Sequence, residues 1–64
     1  MKLKKEQQRV LTVVYELSKG VPGVRLNVDE IEKRCDELNI FNISDEEYER
    51  YRRGVVERFR GGLA

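Results

Sequence analysis

The segments LNVDEI at residues 26–31 and ISDEEY at residues 43–48 share one pattern of residue types. In each, an apolar residue precedes Asn or Ser, and two acidic residues and a second apolar residue follow after one intervening position. Asn27 and Ser44 can each cap a helix, because a Glu three positions later completes a capping box and the two apolar residues form a hydrophobic staple. The acidic pairs also suit the positive end of a helix dipole. The two segments therefore predict two helix starts.

The helices that follow these starts each have an apolar stripe at helical spacing. The second helix is predicted over residues 28–38 and the third over residues 45–60. The stripes consist of Val28, Ile31, Cys35 and Leu38 in the second helix and of Tyr48, Tyr51, Val55 and Phe59 in the third. Gly54 lies inside the third helix, where it indicates a close approach by another helix or a mild kink.

A broader amphipathic segment precedes both and predicts a first helix over residues 4–19, which Gly20 ends. Its stripe consists of Val10, Val14 and Leu17, widened on the flank by Leu11 and Tyr15. The breadth of this face has two interpretations. Either the first helix covers both of the other helices, or Leu11 and Tyr15 form part of a dimer contact.

Length and composition predict one domain over residues 1–64, folded as an all-α three-helix bundle in a helix-turn-helix-like arrangement. The chain has 64 residues, of which 39% are hydrophobic, and that fraction suffices for a core. Charged residues make up another 39%, yet the net charge is only +1, from 13 basic and 12 acidic side chains. Nucleic-acid-binding domains usually have a more uneven balance.

Several function classes are disfavoured by what the sequence lacks. Cys35 is the single cysteine and there is no histidine, which excludes an internal disulfide and a Cys–His pair, so Cys35 is interpreted as a small buried hydrophobic residue. Two of the three acidic clusters belong to helix starts, and the clusters lack calcium-loop spacing, so we expect no metal, cofactor or catalytic residue. No apolar run reaches the ~18 residues of a membrane span and no signal peptide is recognisable, which predicts a cytoplasmic protein without a membrane partner.

Charged side chains occupy the outer face of the third helix. Their spacing predicts ion pairs about one turn apart, namely Glu46–Arg50, Glu49–Arg53, Arg53–Glu57 and Glu57–Arg60. Arg52 and Arg58 fall outside these pairs, and Arg52, four residues after Tyr48, is expected to stack on that ring. The pairs indicate a largely self-neutralised surface.

The stretch VLTVVYELSKGVPGVRLNVDEIEKRCDELNI at residues 10–40 resembles the first two helices of winged-helix and helix-turn-helix DNA-binding domains. Those domains often have an apolar first helix, a glycine loop, and a capped helix that ends in Leu-Gly-Ile. Here LNI ends the segment, and Asn39 stands where Gly is usual. Asn can replace Gly at this position because it tolerates the left-handed conformation. The sequence VVERFRGGLA at residues 55–64 is similar to the end of a recognition helix.

The resemblance implies a small non-enzymatic binding module, a DNA-binding regulatory protein of helix-turn-helix type whose partner is double-stranded DNA. Basic side chains would contact its phosphates, and the candidates are Arg52, Arg53, Arg58, Arg60, Lys2, Lys4, Lys5 and Arg9. The alternative is a protein-interaction module or small homodimer with no nucleic-acid role. Its predicted interface residues are Leu11, Tyr15, Phe41 and Tyr51. No small-molecule substrate is expected for either.

Overall fold

Three α-helices form in the computed structural model, which describes residues 4–21 and 23–61. They are α1 (Lys5–Leu17), α2 (Val28–Leu38) and α3 (Asp45–Gly61), and the described residues contain no β-strand. The predicted all-α three-helix bundle is confirmed. Each helix boundary lies within two residues of the predicted one.

The two cap signals begin helices where the sequence predicts them. The side-chain oxygen of Asn27 accepts a hydrogen bond of 2.9 Å from the backbone N–H of Asp29, and α2 begins at the next residue after the cap. The hydroxyl of Ser44 accepts one of 3.2 Å from the backbone N–H of Glu47 at the start of α3. Each bond satisfies an amide that has no partner within its own helix.

The connection between α2 and α3 is a tight, hydrogen-bonded turn. Asn39 ends α2 in the left-handed conformation with φ 53°, as its side chain predicted. The carbonyl of Asn39 accepts hydrogen bonds from the N–H groups of Asn42 and Ile43 at 2.9 and 3.1 Å. This turn places Ile40 fully inside the bundle and leaves the next side chain, Phe41, half exposed.

Helix α1 is the central element of the bundle. It packs against both α2 and α3, whereas no Cα atom of α2 lies within 8 Å of one in α3. Buried side chains from all three helices and the turn meet in one cluster, formed by Val13, Cys35, Ile40 and Tyr48. The interpretation that the first helix covers two neighbours is therefore confirmed. A dimer contact through the same helix stays a prediction.

The stripe predicted for α1 is wrong in its centre. Val13 is the fully buried residue, while Val10 and Val14 are only half buried. The residue one turn before Val13 on the same face is Arg9, which is also buried. A pattern of apolar and polar residues assigns an arginine to the surface. Arg9 was therefore left out of the predicted stripe, and the stripe was placed to one side of the face that is buried.

Two further expectations about single residues have different outcomes. Cys35 is buried in the core, and desolvation raises the pKa of its thiol, which confirms its interpretation as a small hydrophobic residue. For Gly54, the predicted close approach by another helix is wrong, whereas the alternative of a mild kink stays a prediction. A Cβ atom added there would meet no heavy atom within 4 Å outside its own helix.

The buried guanidinium of Arg9 holds the α2–α3 turn against α1. Its Nη1 donates hydrogen bonds to the backbone carbonyls of Ile40 at 2.7 Å and Ile43 at 2.9 Å. Its Nη2 donates to Oδ1 of Asp45 at 2.9 Å, and its Cζ lies 5.1 Å from the ring centroid of Tyr48. Arg9 was expected to contact phosphate, and this assignment is corrected because the side chain is inside the protein.

Replacing Arg9 with Met is expected to lower the free energy of unfolding by roughly 3 kcal/mol, because two carbonyls and a carboxylate lose a charged donor. Urea unfolding followed by circular dichroism measures the change. The control is Lys5→Met. Lys5 pairs with the same Asp45 at 2.9 Å, but the two side chains are 74% and 66% exposed. Its loss should cost much less than the loss of Arg9, because solvent screens an exposed ion pair. Equal costs for the two variants would contradict the role given to Arg9.

Candidate interaction surfaces

Two of the predicted interface residues lie together on the surface. Leu11 on α1 and Phe41 in the α2–α3 turn are 52% and 50% exposed. Both line one open groove, together with Glu6, Gln7 and Val10. The structure thus joins two apolar side chains that are 30 positions apart in the chain.

This groove continues from α1 towards α2. Val10 and Phe41 also belong to an adjoining depression, whose other lining residues are Ile31, Glu32, Cys35 and Asp36. We call the two parts together the Phe41 groove. Its floor is apolar and its walls are the neighbouring faces of α1 and α2.

The other two predicted interface residues make contacts within the chain. The ring of Tyr15 packs edge-on against Phe59, with centroids 6.2 Å apart, and Gly20 lies so close that an added Cβ would be 3.1 Å from the Tyr15 hydroxyl. Tyr51 is half buried, and its hydroxyl donates a hydrogen bond of 3.0 Å to Oε1 of Glu16. We therefore assign Tyr51 to the bundle interior and place Tyr15 at the edge of the exposed surface.

A polar cluster that sequence reasoning missed joins all three helices. Arg34 on α2 donates from Nε and Nη2 to the two carboxylate oxygens of Glu16 on α1, at 2.7 and 3.0 Å. Tyr51 on α3 completes the cluster. The hydrogen bond from Arg34 holds the pKa of Glu16 below its usual value, whereas burial raises the pKa of Tyr51. These residues stand 17 or more positions apart, so no local pattern reveals them.

The arginines of α3 pair differently from the prediction. Arg52 donates from Nη2 to Glu49 at 2.9 Å instead of stacking on Tyr48, whose ring is covered by Arg9. The partner of Glu49 is therefore Arg52, and not Arg53 as predicted. The predicted pair Glu46–Arg50 is confirmed, at 3.8 Å between highly exposed side chains.

The predicted phosphate contacts do not form one surface. Lys5 meets Asp45 at the start of α3, and Tyr15 meets Phe59 near its end, so α1 and α3 run in the same direction. The basic start of α1 therefore lies by the acidic first turn of α3. Three exposed arginines, Arg53, Arg58 and Arg60, lie in the second half of α3. They lie up to about 20 Å along α3 from its acidic first turn, at about 1.5 Å per residue. Lys4 is exposed, and Lys2 lies outside the described residues.

No family model, curated protein or solved structure matches this chain. Within residues 4–21 and 23–61, no helix is both long and apolar enough to cross a membrane. In the same part of the chain, no three or more carboxylate, thiol or imidazole groups are placed to hold a metal ion.

Replacing Glu16 with Gln should weaken the dependence of stability on acid pH. The folded-state pKa of Glu16 is lowered from 4.5, so its carboxylate contributes stability that is complete above that value and is lost as the pH falls through the folded pKa. The free energy of unfolding, measured by urea titration from about pH 5 to about pH 2, should therefore fall less in Glu16→Gln than in the wild type. Glu57→Gln, which changes an exposed carboxylate, is the control. Identical slopes in the wild type and Glu16→Gln would contradict the role of this cluster.

Proposed function

We propose that this chain is a non-enzymatic protein-interaction module that binds a helix of a partner in the Phe41 groove. The observation that carries the proposal is the position of Leu11 and Phe41. Single exposed apolar side chains are common on proteins, but these two share a concave apolar surface with Val10 and Ile31. Such a surface gains free energy when another apolar surface displaces its water.

The form of the groove suits recognition of a helix. It lies between α1 and α2, and Phe41 lines both of its parts. An amphipathic helix laid along such a groove contributes apolar anchors one turn apart, at positions i and i+3 or i+4. Half-exposed aromatic side chains such as Phe41 are typical anchor points at interfaces.

The state of the reactive side chains supports a non-enzymatic role. The thiol of Cys35 is buried and its pKa is raised, which disfavours the nucleophilic thiolate. Glu16, a largely buried carboxylate, is bound by Arg34 and Tyr51 and keeps a lowered pKa, the opposite of what a general base or acid near neutral pH requires.

The test is a selection of helix-forming peptides from a randomised display library against the intact chain, with peptides of about 14 residues or roughly four turns. Leu11→Ser should weaken the binding of the enriched peptides at least about tenfold. Tenfold corresponds to about 1.4 kcal/mol, which is the effect of losing one apolar contact. Phe41→Ser should have a similar or larger effect. Fluorescence anisotropy measures each dissociation constant.

The matched control is Val28→Ser. Val28 is 65% exposed and lies outside the Phe41 groove, so its replacement should leave peptide affinity unchanged. Circular dichroism verifies that each variant is folded. A selection that enriches no peptide, or enriches only peptides insensitive to both Leu11→Ser and Phe41→Ser, would contradict the proposal.

DNA binding is the second candidate, and the exposure of Arg53, Arg58 and Arg60 favours it. If these three side chains contact phosphates of a duplex, affinity should fall about 40-fold from about 50 to about 200 mM salt. A duplex titration at low salt measures this, and Arg53→Gln with Arg58→Gln should abolish most of the binding. Lys4→Gln, at the opposite end of the molecule, is the control. Absence of binding at low salt would exclude this candidate.

A further inference from the structure

We infer that the Phe41 groove selects a helix whose apolar stripe is flanked on both sides by lysine or arginine. The inference rests on the proposed function, because it names the chemistry of the partner that the groove would bind. Charge complementarity between the groove walls and the helix carries it.

The charged side chains that line the groove are all carboxylates. Glu6 lies on the wall formed by α1, and Glu32 and Asp36 lie on the wall formed by α2. The bound helix would therefore face negative charge on both sides of its apolar stripe. Like charges at these positions would be repelled and basic ones attracted.

These carboxylates are not neutralised within the described part of the chain. None of Glu6, Glu32 and Asp36 forms an ion pair with another described residue. Glu32 and Asp36 lie near enough to Cys35 to contribute to the raised pKa of its thiol. Their negative charge is therefore felt at Cys35, which itself lines the groove.

Three basic side chains near the groove form ion pairs elsewhere, whereas Lys33, exposed on α2 directly after Glu32, pairs with no described residue. Arg34, two residues after Glu32, turns away to Glu16 on α1. On the far side of Phe41, Lys5 and Arg9 both pair with Asp45. The structure therefore separates an unpaired acidic groove from a self-neutralised cluster next to it.

The dimensions set the length of the partner segment. The groove runs along α1 from Glu6 to Leu11 and along α2 from Ile31 to Asp36. Each wall covers five residue steps, about 8 Å of helix or one and a half turns. Two apolar residues one turn apart fill this space, and a basic residue beside each reaches one of the two walls.

The first arm of the experiment uses peptides enriched in the selection described above. Each is resynthesised with the flanking positions as Lys, as Gln and as Glu while the apolar stripe is kept. The Lys form should bind at least about tenfold more tightly than the Glu form at low salt, and this ratio should fall towards one near 0.5 M salt, where surface charges are screened.

The second arm reverses one wall charge. Glu32→Lys should reduce the preference for the Lys form at least about fivefold, since it replaces an attractive rim charge with a repulsive one. Glu57→Lys makes the same substitution on an exposed position of α3, outside the groove, and should leave the preference unchanged. Unfolding temperatures of both variants verify that neither effect reflects loss of the fold.

The outcomes separate the inference from the proposed function. Equal binding of the three peptide forms, with affinity still lost on Leu11→Ser, would overturn the basic-helix inference and leave the interaction module in place. Peptides insensitive to Leu11 and Phe41 would overturn both. Sedimentation of the chain alone at about 100 μM, well above a micromolar dissociation constant, tests a second copy as the occupant. Self-association that Leu11→Ser abolishes would overturn the inference in favour of a homodimer.

Discussion

The buried guanidinium of Arg9 is the interaction on which the rest of the bundle depends. A charged group inside a protein is tolerated only when its hydrogen bonds are satisfied, and here backbone carbonyls of the α2–α3 turn and the carboxylate of Asp45 satisfy them. Because these carbonyls belong to the turn, Arg9 fixes its position against α1. That position places Ile40 in the core and Phe41 on the surface. The groove proposed for partner binding is therefore a consequence of the same contact.

A second polar cluster of Glu16, Arg34 and Tyr51 joins the helices nearer the other end of α1. Only Val13 and Ile40 are fully buried among the described side chains, as expected for a chain that buries only about 60% of its unfolded surface. Directional hydrogen bonds between helices thus add specificity to a small apolar core. This arrangement explains how a chain with 39% charged residues keeps a defined helix packing.

These internal contacts also limit which charged side chains of the surface are free to meet a partner. Arg9, Lys5 and Arg52 would serve as phosphate contacts if they were free, but each is bound to carboxylates or carbonyls of its own chain. Ser44 caps α3, and the acids in the first turn of that helix place negative charge beside the basic start of α1. Besides the exposed Arg53, Arg58 and Arg60 of α3, the surface keeps an apolar groove with acidic walls, and the proposed binding of a basic amphipathic helix rests on this groove.

The sequence by itself determined the helices, because their signals are local. A cap such as Asn27 acts on an amide two residues away, and the left-handed Asn39 ends α2 within its own last turn. The grouping of Leu11 with Phe41 and the inward turn of Arg9 were decided only by tertiary structure. Arg9 reaches partners 31 to 36 positions away, and Glu16 joins residues 18 and 35 positions away. Such pairings depend on how helices pack, and a local polarity pattern treats a buried arginine and a solvated one alike.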